Sequence, residues 1–263
     1  KNLTKQQPIQ KLITKLNDEG NGIVYFNKDT HRSMIRKTIT KYFSNKKYED
    51  NSDFIKVLAW RNKTVDYVNG LVRSIRFGES LPKFAKGERL IANKTLFKKV
   101  IDASPWERQY LVKATTSQEF TVLSASIIVK KFNESVRSSP KVKFEGKFWK
   151  LDVKIDDLNS PDIVLYVIHK DSAPNFLVEL NKMKKFARDA RSKDAWVMYY
   201  NMMKWTDNVS YNYAITVHKS QGSTYQNVIL LEEDLDFNRK AIERNRIKYT
   251  AYTRATDRVY ILR

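Results

Sequence analysis

Cysteine is absent from the 263 residues. Its absence removes disulfides and thiolate metal sites together and is compatible with a reducing cytoplasm. The three histidines, His31, His169 and His218, are scattered without ligand spacing, so no structural metal is expected. No apolar run approaches the roughly 20 residues needed to span a bilayer, and no amino-terminal signal with a cleavage site is visible. Also missing is any glycine-rich loop ending in Gly-Lys-Ser or Gly-Lys-Thr, the cradle that many proteins use for nucleotide phosphates. Acidic residues are scarce. With 29 Asp and Glu against 49 Lys and Arg the net charge is +20, which predicts attraction to a polyanion. In the absence of a spanning segment, nucleic acid is the better partner and no membrane is expected.

A chain of this length with 41% hydrophobic residues can bury a sizeable core, as one large domain or as a domain carrying an inserted module. Pro8, Ile9, Leu12, Ile13 and Leu16 recur at helical spacing and predict an amphipathic helix over 8–19, ended by Gly20 and Gly22. Ile23 to Phe26 reads as a buried strand, Met34 to Phe43 as a helix, Phe54 to Trp60 as a second strand and Val65 to Ile75 as a second helix. That alternation predicts an α/β fold with a parallel sheet. From about 78 to 170 the pattern changes to short alternating runs, among them Phe120–Leu123, Ile127–Val129, Lys141–Phe144 and Phe148–Val153, with Glu145-Gly146 as a hairpin turn. We read 78–170 as a small β module inserted into a domain made of 1–77 and 171–263.

Residues 61–150 hold 19 basic and 8 acidic side chains, so much of the excess charge lies on or near the module. Within it Phe148 and Trp149, with Phe144, are candidates to stack on the bases of a single strand. The alternative is that they form the module's core. Beyond it, Phe176, Leu177, Leu180, Met183 and Phe186 make an apolar helical stripe opposed by lysines and arginines, and Trp196 to Trp205 reads as packing.

Two stretches near the end carry the functional signal. Tyr213-Ala-Ile-Thr-Val-His-Lys-Ser-Gln-Gly-Ser-Thr224 is a strand that delivers polar groups to a loop at its carboxyl end. Lys248-Tyr-Thr-Ala-Tyr-Thr-Arg-Ala-Thr-Asp-Arg258 passes from helix to strand with Arg254 at the join. His218-Lys-Ser-Gln-Gly222, followed about thirty residues later by Tyr249-Thr-Ala-Tyr-Thr-Arg-Ala255, resembles motifs V and VI of superfamily 1 helicases. The likeness is nearest to the 5′-to-3′ branch that includes RecD-type enzymes and the Dda helicases of T-even bacteriophages. Leu58-Ala-Trp-Arg-Asn-Lys-Thr-Val-Asp66 is similar to motif IV of the same family.

The resemblance implies a RecA-like parallel-sheet domain, termed 2A, with an inserted SH3-like β-barrel, termed 2B, that covers a bound single strand of DNA. It implies ATP as the nucleotide, and Mg2+ held mainly by an N-terminal RecA-like domain on the same or another polypeptide. It implies a cytoplasmic setting in a bacterial or phage-infected cell. Arg254 is expected to act as an arginine finger, the alternative being a surface arginine paired with Asp257 or a neighbouring acid. Gln221 and Gly222, with Thr224 at the ribose, are expected near the nucleotide, as are Arg61 and Asn62, although capping the following helix is the favoured role for Asn62. Thr216, His218 and Lys219 are expected on the strand's phosphate-sugar backbone. The acidic run at 232–234 follows motif V, the wrong order for a Walker B carboxylate. The rival reading is a non-catalytic nucleic-acid-binding protein derived from a helicase.

Overall fold

The computed structural model describes residues 14–26, 28–100, 110–156 and 160–263. It divides into two compact units, Lys1–Leu81 with Tyr211–Arg263, and Pro82–Ser210. Among the described residues no helix is long and apolar enough to cross a membrane.

The first unit begins with strands β1 (Lys15–Leu16) and β2 (Gly22–Phe26), paired antiparallel. The helix expected over 8–19 therefore does not extend past residue 14, and its earlier part lies outside the described residues. Asn17 explains the difference. Its backbone carbonyl accepts from the Gly20 amide and its side chain from the Asn21 amide, which closes a hairpin where a helix end was expected. Helices α1 (Lys28–Phe43) and α2 (Lys46–Asp50) follow, then β3 (Ile55–Ala59) and α3 (Asn62–Phe77). All five β3 residues are buried, as a strand covered on both faces requires.

The second unit runs through β4 (Arg89–Ala92), β5 (Leu96–Lys99), β6 (Tyr110–Ala114), β7 (Glu119–Glu134), β8 (Val142–Ile155) and β9 (Ile163–Ile168). Helices α4 (Ala173–Asp189) and α5 (Lys193–Met203) and strand β10 (Val209–Tyr211) complete it. Five strands form one sheet in the order β10-β4-β7-β8-β9, and β5 and β6 pair separately. Among the described residues these pairings do not close into a barrel. The unit also takes in α4 and α5, which sequence reading had placed with the parallel-sheet domain.

One strand explains both differences. Along β8 the buried positions are Val142, Phe144, Gly146 and Phe148, and then the parity shifts to Trp149, Leu151, Val153 and Ile155. Alternate residues point to opposite faces, so the two halves of β8 bury opposite faces. The first face packs on Phe176 and Met183 of α4 and Ala195, Met198 and Met202 of α5. Helices cover the sheet there, so the sheet need not curl onto itself.

Glu145-Gly146 is not a turn but the middle of β8, with Gly146 opposite Lys130. A Cβ on Gly146 would lie 2.8 Å from the Phe144 ring and 3.0 Å from Ser172 Cβ, so the glycine marks a close approach within a strand.

The chain then returns to the first unit with β11 (Ala214–Thr216), β12 (Tyr225–Leu231), α6 (Glu232–Asp236), α7 (Ala241–Tyr252) and β13 (Ala255–Leu262). The sheet order is β1-β2-β13-β12-β3-β11, and every pair beyond β1–β2 is parallel. The expected α/β class with a parallel sheet is therefore what the chain forms. Its core joins Val57 of β3, Val65, Val68 and Val72 of α3, Tyr213 and Ile229.

Candidate functional site

The register of the parallel sheet fixes which sequence-predicted residues meet. Thr216 ends β11 beside Ala59 at the end of β3, so Thr216, Arg61 and Asn62 belong to the carboxyl edge of the sheet. Tyr225 and Ala255 pair at the starts of β12 and β13, so Arg254 belongs to the amino edge. The two edges are separated by the seven residues of β12, on the order of 20 Å at strand rise. Arg61 and Asn62 are therefore not brought to Arg254.

Residues 217–224 run between those edges. The stretch leaves β11 in a series of tight turns: the Ser220 amide donates to the Thr216 and Val217 carbonyls, and the Ser223 amide to the Ser220 carbonyl. Ser220 is fully buried and its hydroxyl donates to the Val217 carbonyl at 2.8 Å, which anchors the turn. His218, Gln221, Gly222 and Thr224 are exposed around it. Gly222 has φ of 86°, a left-handed conformation, and a Cβ there would meet nothing within 4 Å. The glycine thus serves backbone conformation, at an open surface. Lys219 is half-buried, and burial lowers its pKa while the charge of Asp66 opposes the shift.

Arg254 closes the far end of this turn. Its Nη1 donates to the Ser223 carbonyl at 3.1 Å, its Nε to the Thr250 carbonyl at 3.1 Å and its Nη2 to the Thr253 hydroxyl at 3.1 Å. In return the Arg254 carbonyl accepts from the Tyr225 amide at 2.8 Å. Asp257 is engaged elsewhere, accepting from Gln226 Nε2 and the Thr256 hydroxyl. Among the described residues no carboxylate lies within ion-pair distance of Arg254.

Sequence reasoning missed what holds these parts in place. Asn69, on the apolar face of α3 with Val68 and Val72, is 2% exposed. Its Oδ1 accepts from the Tyr213 and Ala214 amides, and its Nδ2 donates to the Tyr211 and Ala214 carbonyls. It thereby satisfies the edge of β11 just before the turn. A polar residue at a core helical position was the available signal.

The acidic run after β12 is structural. Asp234 accepts from the Trp60 and Arg61 amides, Arg61 Nε and the Thr64 hydroxyl, all at 2.6–2.8 Å. It caps α3 from another element, so Arg61 occupies the N-cap position, Asn62 is the first helical residue, and the expected Asn62 cap is not formed. Arg61 is further occupied by stacking over Phe237 at 3.5 Å. Burial raises the Asp234 pKa, but the donors from Thr64, Arg61 and Trp60 outweigh it and hold the carboxyl below its ordinary range. Glu232, buried two residues earlier, pairs with Lys248 at 2.9 Å and accepts from the Tyr252 hydroxyl at 2.8 Å. Burial first, then Glu232, push the Tyr252 phenol up. This pair fastens α7, which ends shortly before Arg254, to the start of α6 at the end of β12.

Phe148 and Trp149 belong to neither edge. Phe148 is 0% exposed and packs against Phe132 and Phe144, and Trp149 is 7% exposed with Phe84 edge-on at 5.7 Å. Neither ring is presented to solvent, so the stacking role expected of them is replaced by a core role.

Residues 211–262 match the family model of the UvrD-like helicase C-terminal domain. That stretch contains both motifs, and the match supports a superfamily 1 helicase C-terminal half. An uncharacterized protein of Acanthamoeba polyphaga mimivirus is 24% identical over 241 residues, covering 80% of this chain and 48% of the relative. An uncharacterized protein of Methanocaldococcus jannaschii is 33% identical over 90 residues, covering 33% of this chain and 7% of that one. The chain thus spans about half the length of the mimivirus relative. Among solved structures, a Pif1 helicase from Candida albicans aligns over 87% of this chain and 53% of its own, at 10% identity and a TM-score of 0.36. A Bacteroides Pif1 helicase, solved with ADP-AlF3 and single-stranded DNA, aligns over 88% and 48%, at 11% identity and a TM-score of 0.25.

Proposed function

We propose that the chain is the C-terminal motor half of an ATP-dependent helicase of the 5′-to-3′ branch, moving along single-stranded DNA. In this reading the parallel-sheet unit is the RecA-like domain 2A, and residues 82–210 stand where relatives carry the 2B module. The observation that carries it is the setting of Arg254. A planar guanidinium is aimed by carbonyl and hydroxyl oxygens and, among the described residues, meets no carboxylate, beside an open turn. Its charge is left for an incoming anion, and the negative charge that develops on a transferring γ-phosphoryl group is the anion the motif resemblance points to.

His218 and Lys219, at the other end of the same turn, hold the strand backbone in this reading, so one eight-residue segment links the strand to the nucleotide. Thr216 is buried, and its hydroxyl accepts from the Lys219 amide at 3.3 Å, so it positions Lys219 instead of touching the strand. Gln221 and Gly222 lie along it toward Arg254, with Thr224 at the ribose. The side chains fit the anionic end of ATP, and among the described residues no group of three or more His, Cys, Asp or Glu could hold a metal ion. In this reading Mg2+ and the phosphate cradle come from an N-terminal RecA-like domain, as the motif resemblance implies.

The test is strand-stimulated ATP hydrolysis by the full-length polypeptide isolated from its source. Hydrolysis that rises with added oligodeoxythymidylate is expected. Hydrolysis no greater than in buffer at saturating strand would contradict the motor reading and leave the non-catalytic binding protein.

A further inference from the structure

The second unit holds a cavity that the motifs do not account for. It lies between the segment joining β4 to β5 and the carboxyl end of α5, has a volume of about 160 Å³, and is walled by Lys94, Phe97, Tyr200, Lys204 and Asp207 among others. Such a volume is well below the roughly 300–1,000 Å³ of sites that enclose a whole small ligand, so it suits one group of a larger one.

Its chemistry is cationic and aromatic. Lys94 Nζ donates to the Met203 carbonyl at 3.0 Å, which covers the negative end of α5. Lys204 Nζ lies over the rings of Phe97 at 5.1 Å and Tyr110 at 4.6 Å. Nearby, Lys130 sits 3.5 Å above the Tyr166 ring. The carboxylates near this group are engaged by other lysines: Asp207, 5% exposed, is taken at 2.6 Å by Lys113, and Glu134 at 2.7 Å by Lys99. Among the described residues neither Lys94, Lys130 nor Lys204 has a carboxylate within ion-pair distance. Burial lowers the pKa of all three, against the opposing charge of Asp207 on Lys94 and of Asp207 and Glu134 on Lys130, while for Lys204 burial acts alone. At the mouth Tyr200 is 56% exposed and stacks at 6.1 Å on Trp196, forming a flat aromatic step.

We propose that this cavity holds one backbone phosphate of a single nucleic-acid strand between Lys94 and Lys204, with a neighbouring base laid on Tyr200. The proposal rests on the strand-binding part of the functional reading and gives it a second contact point, in the unit whose expected stacking residues are buried. A cavity for one phosphate beside a stacking ring matches a polymer that repeats phosphate and base, and single-strand binders combine these two features.

The test compares the full-length polypeptide with its Lys204→Gln, Lys94→Gln/Lys204→Gln and Tyr200→Ala variants, titrated with a dodecamer of deoxythymidylate at several salt concentrations. Loss of one phosphate contact should lower the slope of log affinity against log salt by about 0.7 in the double variant. Tyr200→Ala should weaken binding about tenfold without changing that slope. Lys94 also covers a helix end, so Lys204→Gln and Tyr200→Ala, which touch no helix cap through their side chains, carry the test if the double variant fails to fold. The Lys204→Gln thermal midpoint should stay level or rise, because a cation desolvated without an anion is removed.

Wild-type affinity and slope in all three variants, with binding lost in Lys219→Gln, would overturn the cavity and leave the functional reading standing. If wild type binds no strand, the functional reading falls. The phosphate site then stands only if inorganic phosphate raises the wild-type midpoint and not that of Lys204→Gln, and it falls if phosphate raises neither.

Discussion

In the parallel-sheet unit the residues that sequence motifs single out, His218, Gln221, Gly222 and Thr224, sit exposed on a turn between two strand ends, with Arg254 clasping its last carbonyl. In the unit of residues 82–210 the residues singled out by composition, Phe148 and Trp149, are turned inward, and among the described residues the large exposed aromatics are Phe186 and Tyr200, both on helices. The contrast comes from backbone geometry. A loop at the end of a buried strand turns most of its polar side chains outward and spends the rest on its own backbone, as Ser220 does on the Val217 carbonyl. A strand sends alternate side chains to opposite faces, and which face is buried depends on what packs there.

The sharpest way to break this contrast lies at the buried ends of the motif unit. Lys248→Met would leave Glu232 charged, 7% exposed and without its cation, and should cost about 3–5 kcal/mol in chemical denaturation. A variant as stable as wild type would mean that α7 is held by other contacts. Phe148→Ala should lose a similar amount, about 3–5 kcal/mol, by emptying a fully buried site. Undiminished stability together with weakened strand binding would restore the stacking role.

Asp234→Asn tests the borrowed cap. Removing the charge that Arg61, Thr64 and two amides share should cost about 2 kcal/mol at neutral pH. The sign of its pH dependence follows from the lowered carboxyl. Asp234 contributes its stability above the pKa of an unfolded aspartate, and that contribution is lost as pH falls through the lower, folded value. The wild-type minus variant difference should therefore shrink on acidification, and a difference independent of pH would refute the assignment. The smallest effect is that of Gly222→Ala, about 1 kcal/mol for placing a side chain at φ of 86° in otherwise open space. A much larger loss would show a packed site where an open one is described.

The α/β class, β3, α3 and the strands leading to and from the motifs were legible because continuous apolar runs and helical spacing name buried strands and amphipathic helices without knowledge of their neighbours. The hairpin of β1 and β2 was not, since Asn17 closes it by a local side-chain contact that competes with helix spacing. Gly146 was misread as a turn because a glycine that yields to a ring and one that reverses the chain look alike in sequence. The pocket beside Lys94 and Lys204 was illegible for another reason: its walls are about a hundred residues apart along the chain. Asp234 sits 170 residues from the helix that it caps, and the sequence could not show that Arg61 and Asn62 occupy the sheet edge opposite Arg254.

The most direct measurement is ATP turnover and single-strand affinity, side by side, for the full-length polypeptide and its Arg254→Ala variant. The account predicts that turnover falls by roughly 10³-fold or more while affinity for the strand is unchanged. Equal turnover in the two proteins would contradict it, since the cation held open at the end of the motif turn would then have no part in the chemistry.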